Sequence, residues 1–401
     1  MTKMNYEAYL LLIYPGTQWK LTPLLQGSVN DTLRATKTAG QQGPQSLILK
    51  HASGTFEDEG LEVEATVLHL WDTHEPLHQF KLTGDTWMLP KCLRHDQGTQ
   101  AELHLSTSSE TASILLQQDL GDLTDIFSCI KSLSEKPKPQ DTAHISALGN
   151  TLGRSLANLH DPATLRAVLA EPRLERTLTQ NLTNEVIWSA TMEQLPSYLQ
   201  DFPNGDALFQ RVAEDIRNPK YTYPACLAHG DFHTGNVAVS ASNIQERDQQ
   251  PKVIDWEFAT ANGRGVNGDA AQFLASLHCG IIASRQKDGS LELANLLRHF
   301  CRGFCTGYQQ RARLECTMEL DDVNSQLYRS ALLLHGRDMI NYARDFCEGH
   351  EAEEEMVRVG VWYLERAGKD MDDFLGGSNM LELEREDEFL IRSLFSIAYG
   401  G

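Results

Sequence analysis

Apolar positions in the first third of the chain come in short runs and at alternating spacing. Residues 21–25 and 32–36 read as two strands joined across Gln26-Gly27-Ser28-Val29-Asn30-Asp31. Ser46-Leu47-Ile48-Leu49-Lys50 follows a Gly-Pro turn as a buried strand. Over residues 59–71 the period changes, and Leu61, Ala65 and Leu68, with Val67, share one helical face. Two further strands are predicted at 101–105 and 113–117. After Gly121 the spacing turns helical: Ile145, Leu148, Leu152, Leu156 and Leu159 form one stripe that ends before Asp161-Pro162. Helices are also predicted over 206–216, 270–283, 292–312, 326–346 and 356–366. Strands gather in the first third and helices in the rest, which predicts an α+β chain with two lobes. The boundary falls near Gln117-Gln118-Asp119, giving a strand-rich N-lobe over 1–118 and a mainly helical C-lobe over 119–401.

Composition changes this picture little. Of 401 residues, 41% are hydrophobic and 22% charged, as in an ordinary globular protein. Acidic residues outnumber basic ones 55 to 35, a formal charge of −20. That balance argues against nucleic acid as a partner and favours cationic ligands, although it also serves plain solubility. Eight cysteines, at 92, 129, 226, 279, 301, 305, 316 and 347, contain no C-x-x-C pair and read as buried free thiols in a reducing compartment. The apolar run 9–14 is too short for a membrane span and lacks a basic leader, so a cytoplasmic protein is expected.

The chemistry concentrates in two stretches, His229-Gly230-Asp231-Phe232-His233-Thr234-Gly235-Asn236 and Lys252-Val253-Ile254-Asp255-Trp256-Glu257. Phosphoryl transfer needs a carboxylate to orient the attacking hydroxyl and hard oxygen ligands to hold Mg²⁺ on the phosphates. Asp231 suits the first task. Asn236, five residues on, and Asp255, delivered by the short run Val253-Ile254, suit the second.

In this order and near this spacing, the two stretches resemble the catalytic loop and metal-binding motif of the aminoglycoside phosphotransferase and choline kinase superfamily. There an HGD-type motif stands where protein kinases carry H-R-D, and the VIDWE run looks like the counterpart of D-F-G. The resemblance implies a bilobal protein-kinase-like fold, ATP and Mg²⁺ as cofactors, and a small-molecule hydroxyl acceptor. It implies that Lys50 contacts the phosphates and that a helix glutamate holds it. Glu62 and Glu64 are both placed for this but cannot face the same way, and the pattern around Glu64 looks closer to the family. It further implies that the hairpin tip Gly27, Ser28, Val29 and Asn30 covers the phosphates. No protein-kinase glycine-rich loop is present, and the tip is equally readable as a plain turn. Gln117 and Asp119 fall at the adenine-binding hinge, where backbone groups do the work. Asp269 is expected to brace the catalytic loop, His229 to do the same, and the part of His233 stays open. The similarity runs from about Leu21 to about Phe374 and looks closest to the methylthioribose-kinase-like branch.

A protein kinase is disfavoured because no A-P-E motif closes a peptide-docking segment after Asp255. A catalytically dead, nucleotide-binding module is the alternative of another class, yet the chain retains Lys50, Asp231, Asn236 and Asp255 together. The acceptor's identity and the oligomeric state are not readable. Asp338, Asp345 and Trp362 are candidates for recognising a cationic group, although each also reads as an ordinary surface charge or core aromatic.

Overall fold

The structure, a computed structural model, describes residues 4–24, 30–53, 55–73, 87–179, 188–217, 225–241, 250–286, 290–316, 323–346, 350–368 and 391–397. Gly27, Ser28 and Val29 of the expected hairpin tip lie outside the described residues, as does the side chain of Asp345. The chain divides into two units. One comprises Met1–Gln79, Leu89–Asp122 and Ile254–Ala259, the other Phe80–Met88, Leu123–Val253 and Thr260–Gly401.

In the first unit, β1 (Gln18–Pro23), β2 (Asp31–Ala39), β3 (Ser46–Ala52), β4 (Cys92–Thr99) and β5 (Thr111–Gln118) form one antiparallel sheet in the order β1-β2-β3-β5-β4. The two-residue period of β3 sends its side chains to opposite faces. Leu47 and Leu49 join Tyr9, Leu10, Trp19, Ile114 and Leu116 in a core under helix α1 (Tyr6–Ile13). Ala52 faces the other way, with Leu115, Leu61 and Ala65, beneath helix α2 (Thr55–Thr73). Lys50 shares that alternate face and pairs in register with Leu115.

The predicted strand at 101–105 is not formed. Those residues are turns, and the strand lies just before them at Cys92–Thr99. Leu103 and Leu105 supplied the apolar signal because they plug the core from a turn, whereas the edge strand CLRHDQGT is polar and partly exposed. The other strand and helix expectations match observed elements, usually with one turn more at an end.

In the second unit, β6 (Leu123–Asp125) leads into α3 (Ile126–Glu135) and α4 (Asp141–Leu159). Three shorter helices follow, α5 (Pro162–Leu169), α6 (Pro172–Leu178) and α7 (Leu195–Leu199), and then α8 (Gly205–Arg217). Strand β7 (Cys226–Ala228) pairs with β10 (Thr260–Gly263), while β8 (Val237–Ser240) lies between β6 and β9 (Lys252–Val253). Four helices follow, α9 (Ala270–Gln286), α10 (Leu291–Ala312), α11 (Val323–Phe346) and α12 (His350–Arg366), and a short strand, Ser396–Ile397, pairs in parallel with Glu315–Cys316.

Helices α4 and α10 approach so closely that glycine is required at the crossing. A Cβ at Gly153 would stand 2.0 Å from the Phe304 carbonyl oxygen, and one at Gly303 would stand 2.1 Å from that of Ser146. This contact holds His160, just past the end of α4, against Tyr308 of α10. Among the described residues, no helix is long and apolar enough to cross a membrane.

Candidate active site

The first unit gathers Lys50, Glu64, Asp255, Glu257 and Asn30. On α2, Glu64 falls on the stripe of Leu61 and Leu68, so the packing that buries those leucines also buries the carboxylate completely. Its Oε2 lies 2.6 Å from Lys50 Nζ, while Glu62 stays half-buried. The choice of Glu64 as the partner of Lys50 thus agrees with the geometry. Lys50 Nζ also lies 2.5 Å from Asp255 Oδ1. Burial works against the ammonium, but the charges of Asp255, Glu64 and Glu257 outweigh it and hold the lysine pKa above its ordinary value.

Asp255 has φ +67°, a left-handed conformation that few residues besides glycine, asparagine and aspartate adopt readily. The turn follows β9 directly and keeps the Asp255 side chain 35% exposed, against none for Glu64. The exposed carboxylate is the one a ligand can reach. Asn30 donates from Nδ2 to Glu257 Oε2 at 2.5 Å, and its buried Oδ1 has no partner among the described residues. That bond ties the end of the hairpin to the segment carrying Asp255. Sequence reading missed Glu257 because it lies 227 positions from Asn30.

Gln117 lies on β5, buried, with Nε2 lacking a partner among the described residues. The Asp119 carboxylate is occupied by Arg34, at 3.1 Å, and by the Gly121 amide. It therefore shapes the turn after β5.

In the second unit the loop after β7 carries Asp231 and Asn236. Its backbone amides are satisfied almost one by one. Those of His229 and Gly230 donate to Asp269 Oδ2 and Oδ1, at 2.7 and 3.0 Å. That of Asp231 donates to His229 Nδ1, and that of Phe232 to Gln272 Oε1 at 2.9 Å. That of Thr234 donates to Ser276 Oγ, that of Gly235 to His233 Nδ1, and that of Asn236 to the His233 carbonyl. Asp269 sits directly before α9 and Gln272 and Ser276 lie on it, three and seven residues further on. A single helix face therefore receives successive loop amides. His160 buttresses Asp269 at 3.1 Å and is itself bonded to the Tyr308 hydroxyl at 2.8 Å. Phe232, fully buried, anchors the loop against Trp87 and Phe273. Gly230 takes φ +84°, which turns the chain so that Asp231 follows.

The Asp231 side chain is 32% exposed. Its Oδ1 accepts from Gln272 Nε2 at 3.0 Å. Its Oδ2 lies 3.4 Å from both Asn236 Nδ2 and His233 Nε2. Burial pushes the carboxyl up, but the hydrogen bond and charge of His233, the charge of His229 and the Gln272 bond prevail and hold it below the usual aspartate value. Asn236 Nδ2 also donates to the Asp231 carbonyl at 2.9 Å, so the amide nitrogen faces the loop and its oxygen points away.

Beyond this cluster, Tyr342 of α11 accepts from Gln272 Nε2 at 3.0 Å. One turn earlier, Asp338 is buried with Oδ1 bonded to Arg337 and Oδ2 without a partner among the described residues. Burial, opposed by Arg337, raises its carboxyl above the ordinary value. Trp362 packs edge-on against Tyr363, with the Arg366 guanidinium 5.9 Å from its ring. Gln272, Ser276 and Tyr342 were not found in the sequence. The available signal was the helical spacing of Gln272 and Ser276 from Asp269.

Compared with known proteins, residues 20–314 match the model of the phosphotransferase enzyme family. A provisionally named aminoglycoside phosphotransferase from Ralstonia eutropha JMP134 superposes over 92% of this chain and 100% of its own, with TM-score 0.50 and 13% identity. The GDP complex of aminoglycoside 2'-phosphotransferase-IIIa aligns over 90% of this chain and 97% of its own, with TM-score 0.46 and 15% identity. The first of these likenesses places the fold as protein-kinase-like. No curated protein matches the chain.

Proposed function

The chain belongs to the phosphotransferase enzyme family, and from that premise we propose that it transfers the γ-phosphate of ATP to a hydroxyl of a small molecule. The observation that carries the reading is the state of Asp231. It is an ionised, partly exposed carboxylate on a loop whose amides are tied down, with one oxygen held by Gln272 and the other only loosely engaged. A carboxylate held so can accept a hydrogen bond from an acceptor hydroxyl and aim its lone pair. In phosphoryl transfer this positioning matters more than strong basicity, so a low pKa is no obstacle.

Lys50, fixed by Glu64, supplies a positive charge for phosphate oxygens. The residues also fit a magnesium ion. Asp255, Glu64 and Glu257 surround a single ammonium, leaving a surplus of negative charge, and Asn236 turns its amide oxygen away from the loop. Among the described residues there is no cage of three or more His, Cys, Asp or Glu. Magnesium does not need one, since it commonly takes one or two protein oxygens and completes its shell with water and phosphate. Asp255 and Asn236 are the proposed ligands, and the ion, when bound, neutralises charge on the phosphates. The Asn30 end of the hairpin, Gln117 and the backbone at Asp119 are proposed to contact the nucleotide. The acidic balance of the chain favours a cationic acceptor.

The test is ADP release from Mg-ATP against choline, ethanolamine, methylthioribose, aminoglycosides, hydroxyindole amines, homoserine and fructosamines. Turnover with one of them, lost in Asp231→Asn, supports the reading. Mg-ATP binding without turnover for any acceptor points to a nucleotide-binding module, and absence of Mg-ATP binding overturns the proposal.

A further inference from the structure

We infer that Gln272 is a positioning residue for the reaction, selecting which oxygen of Asp231 meets the acceptor. The inference rests on the proposed role of Asp231 as the group that orients the acceptor hydroxyl.

All the hydrogen-bonding directions of the Gln272 amide point to one arrangement. Its Oε1 receives the Phe232 amide, and its two Nε2 hydrogens go to Asp231 Oδ1 and the Tyr342 hydroxyl. Flipping the amide would set Oε1 against a carboxylate oxygen and Nε2 against a backbone N–H, so the orientation is forced. Gln272 thus grips the loop twice, at the Phe232 backbone and at the Asp231 side chain. Both contacts come from one rigid group near the start of α9.

The consequence is an asymmetric carboxylate. Oδ1 is taken by a bond of normal length from a fixed donor. Among the described residues the neighbours of Oδ2, Asn236 Nδ2 and His233 Nε2, both lie at 3.4 Å, so it retains capacity for a short, strong bond. An acceptor hydroxyl therefore bonds to Oδ2. Tyr342, whose oxygen accepts from Gln272, keeps its own proton to donate elsewhere. A fixed carboxylate matters because an error of about 1 Å in the attacking group can cost ~100-fold in rate.

The experiment uses the full chain with Mg-ATP and the panel acceptor that the wild type turns over fastest. Gln272→Met keeps the length and removes every polar atom, Gln272→Glu removes both donors, and Gln272→Asn retracts the amide. Gln272→Met is expected to lower kcat ~100-fold with the KM for Mg-ATP little changed. Gln272→Glu should do at least as much, and Gln272→Asn should recover none of the rate. In an Asp231→Asn background Gln272→Met should cost almost nothing further, because the effect passes through Asp231. Wild-type kcat in Gln272→Met, or an equal loss in the Asp231→Asn background, overturns the inference. A crystal structure of Gln272→Met decides the matter independently of activity. A reoriented Asp231 carboxylate supports the inference and an unmoved one overturns it. If the wild type turns over no acceptor, the functional reading falls, while that structure still decides whether Gln272 positions the carboxylate.

Discussion

Lys50 sits between two carboxylates of opposite accessibility, Glu64 fully buried and Asp255 partly exposed. Removing one partner of a buried pair leaves a desolvated charge behind, a larger effect than the pair's own net value. Lys50→Met should therefore destabilise the chain by about 3 kcal/mol, read from urea unfolding, and weaken Mg-ATP binding. Unchanged stability would mean that Glu64 is not held as described. Asp231 makes a prediction about pH. Its folded pKa is depressed, so its contribution to stability is present above the unfolded value of about 3.9 and is lost as pH falls through the lower folded value. Asp231→Asn should accordingly lose less stability than the wild type in that acidic window, measured by unfolding curves at stepped pH. The proximity of Asp231 and Asn236 was legible in the sequence because both lie in one short loop, whereas Lys50 was singled out only through the family resemblance. Gln272, Tyr342 and Glu257 were not legible, because their partners lie 41, 70 and 227 positions away.

Helix α9 acts as a whole element on the loop that carries Asp231. Asp269, Gln272 and Ser276 take up amides from His229 to Thr234, and His160 with Tyr308 supports the first of them from α4 and α10. The seat for His160 depends on the close approach of those two helices. Adding a methyl at Gly153 would drive it into the Phe304 carbonyl, so Gly153→Ala should cost about 1–3 kcal/mol. It should also lower kcat by disturbing the His160–Asp269 contact, a loss to be followed by thermal melting and turnover on one sample. A variant with both properties intact would contradict the packing described. Periodicity located these helices well, since each buries a long apolar stripe. It failed at β4, an edge strand with too few apolar residues to alternate, and at 101–105, where two buried leucines sit in turns. Periodicity reports burial, and burial without a repeating backbone imitates a strand.

Taken whole, the chain does not divide by a single cut. Residues 254–259 return to the first unit, where Asp255 meets Lys50, Glu257 meets Asn30 and Trp256 packs against Trp71 at 6.2 Å. A fragment ending at residue 122 lacks all three contacts. It should show a weakened near-ultraviolet circular dichroism signal and less cooperative unfolding than the intact protein, and native-like cooperativity would contradict the part given to that segment. The boundary expected at 118/119 followed the change in hydrophobic period, which cannot register six residues that return from far along the chain. The charge of −20 also acts at this scale. If the acceptor is cationic, its kcat/KM should fall as salt rises, because screening weakens long-range attraction. The proposed reaction moves the γ-phosphate of ATP to an acceptor hydroxyl under the direction of Asp231. The most direct measurement follows γ-labelled ATP into a phosphate monoester of a panel acceptor, for the wild type and Asp231→Asn side by side. Labelled monoester is expected from the wild type, with yield falling at least ~100-fold in the variant. Equal labelling by the two proteins, or release of label only as inorganic phosphate, would contradict it.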